Sequence, residues 1–258
     1  MDEPASTHHS IEANVEPPIV KPGLRALNGG DGGSNWDHGT YSVAHHSGNL
    51  KLYVPSAAKP GDTLFLFLSR TDGLLPLKID RWSRTAECFK NKNRQGSCLK
   101  ADNCAKRDGS FCWCDLGTVV FHRKVAAEDP GCWEIEIPGG STTWAIVTAI
   151  SDVNDGNPII DTAGESCDVD WNSVFPRVYG RKDDILLLSQ SFDDSTQKNN
   201  FLPPDGTMLL GWTRSYDEAA FLYGKQLQST GQTNQLVTEG RGGPKCKDAL
   251  LSIVVNRN

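Results

Sequence analysis

The residues of this 258-residue chain best placed to do chemistry are acids. Asp152, Asp155, Asp161, Glu165, Asp168 and Asp170 cluster near mid-chain, with Asn154 and Asn157 among them. Hard oxygen ligands on a glycine-containing loop are what calcium requires, so Asp152, Asp155 and Asp161 are the candidate ligands of a calcium ion that would stiffen the segment. The spacing is not that of an EF-hand, because Gly156 is out of register with Asp152 and no glutamate closes the loop. A solvated acidic linker is the competing reading. Asp161 also suits a structural role, capping the turn after Pro158-Ile159-Ile160.

Seven tryptophans form the second group, since an exposed indole face stacks on sugar rings. Trp82 and Trp212 close similar segments, Trp82-Ser83-Arg84 and Trp212-Thr213-Arg214, and Trp133 and Trp144 lie in strand-like patterns. These four are expected in the core. Trp36, Trp113 and Trp171 lie in loops rich in Gly, Cys or Asp and are the candidate ligand-contact residues.

Cysteines are the third group, eight beside only two methionines. An even count in a loop-rich chain reads as a disulfide framework, which points to a secreted, extracellular protein. Its members would be Cys88, Cys98, Cys104, Cys112, Cys114, Cys132, Cys167 and Cys246. A zinc site is disfavoured, because the closest spacing is Cys112-x-Cys114 and no second pair follows. Met1 to Val20 is polar and acidic, without the apolar stretch of a signal peptide, so either a signal has been removed ahead of it or the secretory reading is wrong.

Catalytic signals are sparse. Of six histidines, His8 and His9 fall in the polar start and His45-His46 would point to opposite faces of a strand. His122 is matched by Gly224 in a similar segment downstream. No Gly-x-Ser-x-Gly elbow, His-Glu-x-x-His or phosphate-cradling loop is present. No catalytic residue is assigned, and an enzyme is the weaker reading. A pair of carboxylates across a cleft would still suffice for a glycan hydrolase. The net charge of −6 and the lack of a basic stripe argue against nucleic acid as a partner. No apolar run approaches the roughly 20 residues of a bilayer-spanning helix, so membrane insertion is not expected.

The elements that must position these residues are strands. Alternating or apolar runs bounded by turn residues predict strands at Gly48 to Pro55, Thr63 to Ser69, Leu77 to Trp82, Thr118 to Val125, Trp133 to Ile137 and Trp144 to Ser151. A second set follows at Ile185 to Ser191, Met208 to Trp212, Ala219 to Leu227, Gln235 to Thr238 and Ala249 to Asn256. Pro60-Gly61, Asp72-Gly73, Asp205-Gly206 and Gly242-Gly243-Pro244 mark turns. The sets resemble each other: Gly61-Asp62-Thr63-Leu64-Phe65-Leu66 matches Asp183-Asp184-Ile185-Leu186-Leu187-Leu188, and Phe121 to Val125 matches Tyr223 to Leu227.

This predicts an all-β fold: an antiparallel two-sheet sandwich of pseudo-repeats at about 48–151 and 176–256, in one domain over 35–258 behind a polar tail at 1–34. Arg84 to Phe121 spans 37 positions and Arg214 to Tyr223 spans 9, which places an insertion of about 28 residues in the first repeat, within about 85–117. Five cysteines fall there, an odd number. Full pairing would therefore tie the insertion to Cys132, Cys167 or Cys246, and cross-links would offset the entropy of so long a loop.

Lys59-Pro60-Gly61-Asp62-Thr63-Leu64, Trp82, Ala149 to Val153, Asn157-Pro158-Ile159-Ile160-Asp161 and Lys182-Asp183-Asp184 together resemble the jelly-roll-like β-sandwich repeat domain of large bacterial and algal secreted or cell-surface proteins. The resemblance covers about Gly48 to Val255. It implies a stalk, adhesin or carbohydrate-contact unit and carries no catalytic residue. The expectation is a non-enzymatic extracellular module that binds a glycan or a surface protein through its loops. A self-assembling coat or filament subunit, with copies of itself as partner, and a glycan-active hydrolase are the alternatives.

Overall fold

The computed structural model describes residues 36–45, 48–70, 75–76, 78–89, 116–137, 142–168, 172–193, 202–215, 218–239 and 247–258. All of them belong to the unit Ser34–Asn258, and the polar tail lies outside them.

The described residues form strands and no helix. The first seven are β1 (Asp37–His45), β2 (Gly48–Tyr53), β3 (Thr63–Arg70), β4 (Ser83–Phe89), β5 (Gly117–Lys124), β6 (Cys132–Ile137) and β7 (Thr143–Ile150). Then come β8 (Ile159–Asp168), β9 (Asn172–Phe175), β10 (Tyr179–Gly180), β11 (Ile185–Asp193) and β12 (Met208–Ser215). The last are β13 (Glu218–Gln226), β14 (Gly231–Gln232), β15 (Leu236–Glu239) and β16 (Lys247–Val255).

Two five-stranded antiparallel sheets dominate. One has the order β1-β7-β3-β5-β4, and the other, read from its far edge, β8-β16-β11-β13-β12. Alternation along the strands decides which core each residue joins. Phe65, Phe67, Val120, Trp144 and Ile146 of the first sheet meet Ile185, Leu187, Leu222, Leu251 and Ile253 of the second in one central cluster. The intervening residues face outward. Leu64, Leu66, Val119, Phe121 and Val147 are covered by Leu50, Leu52, Ile135 and Ile137 of the β2–β6 ribbon. Leu186, Leu188, Tyr223 and Leu250 are covered by Phe175 and Leu236 of the β9–β15 ribbon. Strands buried on both faces read as continuous apolar runs, and Thr63 to Arg70 and Thr143 to Ile150 are buried throughout.

This arrangement goes beyond a simple two-sheet sandwich, because each sheet carries a second layer outside. It also differs from a jelly roll, which winds eight strands through two Greek keys. Here each five-stranded sheet draws every strand from one half of the chain.

The turns entering β3 and β11 use the same bonds. The Lys59 and Arg181 N–H groups each donate 2.7 Å bonds to a buried carboxylate, Asp62 Oδ2 and Asp184 Oδ2. Gly61 and Asp183 both have positive φ, 95° and 74°, and their N–H groups donate to the carbonyls of Val125 and Leu227.

Four predicted features differ. Residues near Leu77 to Trp82 form a loop rather than a strand: Arg81 has φ 63°, the Trp82 N–H donates to the Ile79 carbonyl, and Leu75, Ile79 and Trp82 bury themselves on the outer face. Strands β1, β8 and β9 were not expected, since Asp37–His45 and Ile159–Asp168 are polar enough to read as loop. The match of Trp82 with Trp212 does not hold in register. Arg84 lies opposite Phe121 and Leu209 opposite Tyr223, so Trp82 corresponds to Thr207. Finally, β4 and β5 pair out to Phe89 and Gly117, whereas β12 and β13 pair out to Ser215 and Glu218. The long connection thus leaves the end of the hairpin, later than about residue 85.

Candidate functional site

A cleft of about 320 Å³ opens at the edge of the central layer, where β3, β4 and β5 of the first sheet meet the segment leading into β8. Thr63, Ser83 and His122 line it from the sheet, and Asn154, Asp155 and Pro158 from the connecting segment. Arg81, Arg123 and Lys124 complete the wall. A β-bulge lies beside it: the register between β4 and β5 slips between Arg84 and Ala86, leaving Thr85 without a cross-strand partner. Thr85 Oγ1 and His122 Nδ1 then share a 2.7 Å hydrogen bond. The imidazole also tilts against Phe65, with ring centroids 6.0 Å apart. Burial holds its pKa below the ordinary 6.5, so the ring is neutral at pH 7.

The charges around the cleft are mostly matched. Lys124 Nζ pairs with Asp155 and donates to the Val153 carbonyl. Arg123 points to the other face of the sheet, where it pairs with Asp129 and lies 4.7 Å over the Trp133 ring and 5.9 Å over that of Trp82. Arg81, exposed, lies 3.7 Å from Asp80.

The three candidate calcium ligands are not brought together. Asp152 Oδ2 accepts a 3.1 Å bond from Arg257, Asp155 pairs with Lys124, and Asp161 accepts from the backbone N–H groups of Thr162 and Tyr179 at 2.9 and 2.7 Å. Among the described residues no group of three or more potential ligands is suited to a metal ion. Asp161 instead ties the start of β8 to β10.

The tryptophans also fall differently. Trp36 is only 7% exposed and belongs to the central core, so its indole offers no contact surface. A Cβ added at Gly224 would lie 2.8 Å from Trp36 Cη2, so the glycine makes room for the ring. Trp113 and Trp171 lie outside the described residues. Trp82 and Trp144 are buried and Trp133 packs against Trp82 at 5.5 Å, all in the core as expected.

Trp212 is the exception, 53% exposed on the outer face of edge strand β12. It sits directly opposite Phe221 with planes 14° apart and centroids at 6.3 Å, and Phe221 stacks in turn on Tyr223 and Phe192. Leu209 is exposed on the same face of the strand, and Met208 is exposed toward its other face. Sequence reasoning missed this platform because the Trp-x-Arg match assigned Trp212 to a core position. The register slip between Leu209 and Gly211 is what sets its face.

Cys132 is a free thiol, its Sγ 3.8 Å from the Trp133 carbonyl, and so forms no part of a disulfide framework. Cys88 and Cys167 lie on β4 and β8, but their side chains, like Cys98, Cys104, Cys112, Cys114 and Cys246, fall outside what is described. Among the described residues no helix is long and apolar enough to cross a membrane.

Comparison with family models, curated proteins and solved structures finds no match to this chain.

Proposed function

We propose that this protein is a non-enzymatic extracellular β module, built by internal duplication, that binds glycan on the exposed face of Trp212. The supporting observation is the braced indole. A half-exposed ring held by a ladder of stacked aromatics presents a flat apolar face with little rotamer freedom left to lose, which favours stacking on a sugar ring. The duplication reading rests on the shared strand order of the two sheets and the paired Asp62 and Asp184 turns. It makes the module a two-sheet assembly of repeats spanning β1 to β7 and β8 to β16. The dense cysteines favour an oxidising compartment, with the framework confined to the seven other than Cys132.

Self-association is the second reading, favoured by the exposed Met208, Leu209 and Trp212 on an edge strand. A glycan array probed with the wild type and Trp212→Ala separates the two. Binding that disappears in a variant of unchanged melting temperature supports the glycan site. No binding, together with a wild-type dimer that Trp212→Ala dissociates in size-exclusion chromatography, replaces it with self-assembly.

A further inference from the structure

The cleft at His122 has a counterpart in the other half of the molecule, and there it is filled. Thr63 and Ile185 lie opposite Ile150 and Val255, which in turn face Asp37 and Ile159, so the residues just before β1 and β8 correspond: Trp36 and Pro158. Their backbones make the same bond, Trp36 O accepting from the Ser151 N–H at 3.0 Å and Pro158 O from the Asn256 N–H at 2.9 Å. By the same registers His122 corresponds to Gly224, and bulged Thr85 to bulged Leu210. In the second sheet the Trp36 indole and the Leu210 side chain both press on Gly224. In the first sheet the smaller Pro158 stands where the indole would be, and the space it leaves is open to solvent.

We propose that this vacated seat binds a single neutral sugar ring, an inference that rests on the glycan-binding reading and adds a second subsite to it. Size favours a single ring, because the space left beside the His122 imidazole is about 320 Å³, at the small end of ligand pockets. The lining favours a neutral polyol over an ion. Lys124 pairs with Asp155, Arg123 with Asp129, and Arg81 lies 3.7 Å from Asp80, so each cation at the wall has an acid beside it. His122 Nε2 and Ser83 Oγ have no partner among the described residues and line the cleft. Neutral imidazole and hydroxyl groups match sugar hydroxyls, which both donate and accept. Pro158 supplies an apolar wall for the C–H face of the ring.

The test is NMR of the full chain titrated with glucose, galactose, mannose and N-acetylglucosamine, with sodium phosphate as the anion arm, following the His122 imidazole resonances. Expected is a saturable shift of these resonances with at least one sugar and none with phosphate. Pro158→Trp, which crowds the cleft from its apolar wall, should abolish the shift, and Trp212→Ala should leave it intact. Should Pro158→Trp fail to fold, Ser83→Ala gives the same reading as a several-fold weaker affinity. No sugar-induced shift, a response to phosphate alone, or a shift that survives both cleft variants would overturn the proposal. Array binding that depends on Trp212 would still stand in each of those cases, so the two readings fail separately.

Discussion

His122 is the imidazole that lines the cleft of the first half. Its neutral ring is held by Thr85 on a bulge and lies against Phe65, with Lys124, Asp155 and Arg81 along the same wall. Because burial lowers its pKa below 6.5, the unfolded chain takes up a proton at a higher pH than the folded one. The contribution to stability is therefore fully present above about 6.5 and is lost as the pH falls through the folded value. The melting temperature should fall as the pH is lowered below about 6.5, and His122→Gln should flatten that slope. A slope unchanged by the substitution would assign it to other groups. The thiols offer a second check at this scale. With Cys132 reduced, seven cysteines remain, and an odd set cannot pair completely within one chain. Titration of the denatured, unreduced protein should find at least two thiols per chain, or one beside a disulfide-linked dimer. A single thiol on a monomer would contradict this.

The elements were legible where burial is two-sided and obscure where it is not. Thr63–Arg70, Gly117–Lys124, Thr143–Ile150 and Ile185–Asp193 announce themselves as apolar runs, because core packs on both faces. Asp37–His45 and Ile159–Asp168 are edge strands whose described side chains are half-buried, so their composition resembles a loop and no periodicity marks them. The cleft was illegible for a related reason. It depends on a one-residue bulge and on which residue precedes an unrecognised strand, neither of which leaves a pattern in the sequence. The Asp62 and Asp184 turns, by contrast, were visible as a repeated motif, and their carboxylates take the same bond from the chain three residues back. Asp62→Ala and Asp184→Ala should each destabilise by about 2 kcal/mol, the usual worth of a hydrogen bond to a charged group. Urea unfolding measures it, and values that differ widely between the sites would mean the two turns are not equivalent.

At the scale of the whole molecule, the two sheets share one core and so cannot be independent. Their union is sealed by apolar contact and by buried hydroxyls, with Thr118 Oγ1 2.8 Å from Ser69 Oγ in its own sheet and 3.0 Å from Ser191 Oγ in the other. The approach is closest at one edge, where a Cβ on Gly211 of β12 would meet Thr40 Cγ2 of β1 at 2.6 Å, Ser42 Oγ at 2.9 Å and Ile146 Cγ2 of β7 at 3.1 Å. The corresponding residue of β4 is Ala86, which carries a Cβ and packs on the central cluster. The sheets therefore come nearer on the side where Trp36 is buried than on the side where the cleft opens. Gly211→Ala should destabilise by about 1–3 kcal/mol through overpacking. Ala86→Gly should cost about 1 kcal/mol, from added chain entropy and one lost methyl contact. The sign at Gly211 is the informative part. An alanine there ordinarily stabilises a strand, so a gain in urea midpoint would mean the sheets stand further apart than described. A loss at Gly211 that exceeds the modest cost of Ala86→Gly would tie the closed seat and the open one to a single asymmetry in how the two sheets approach each other.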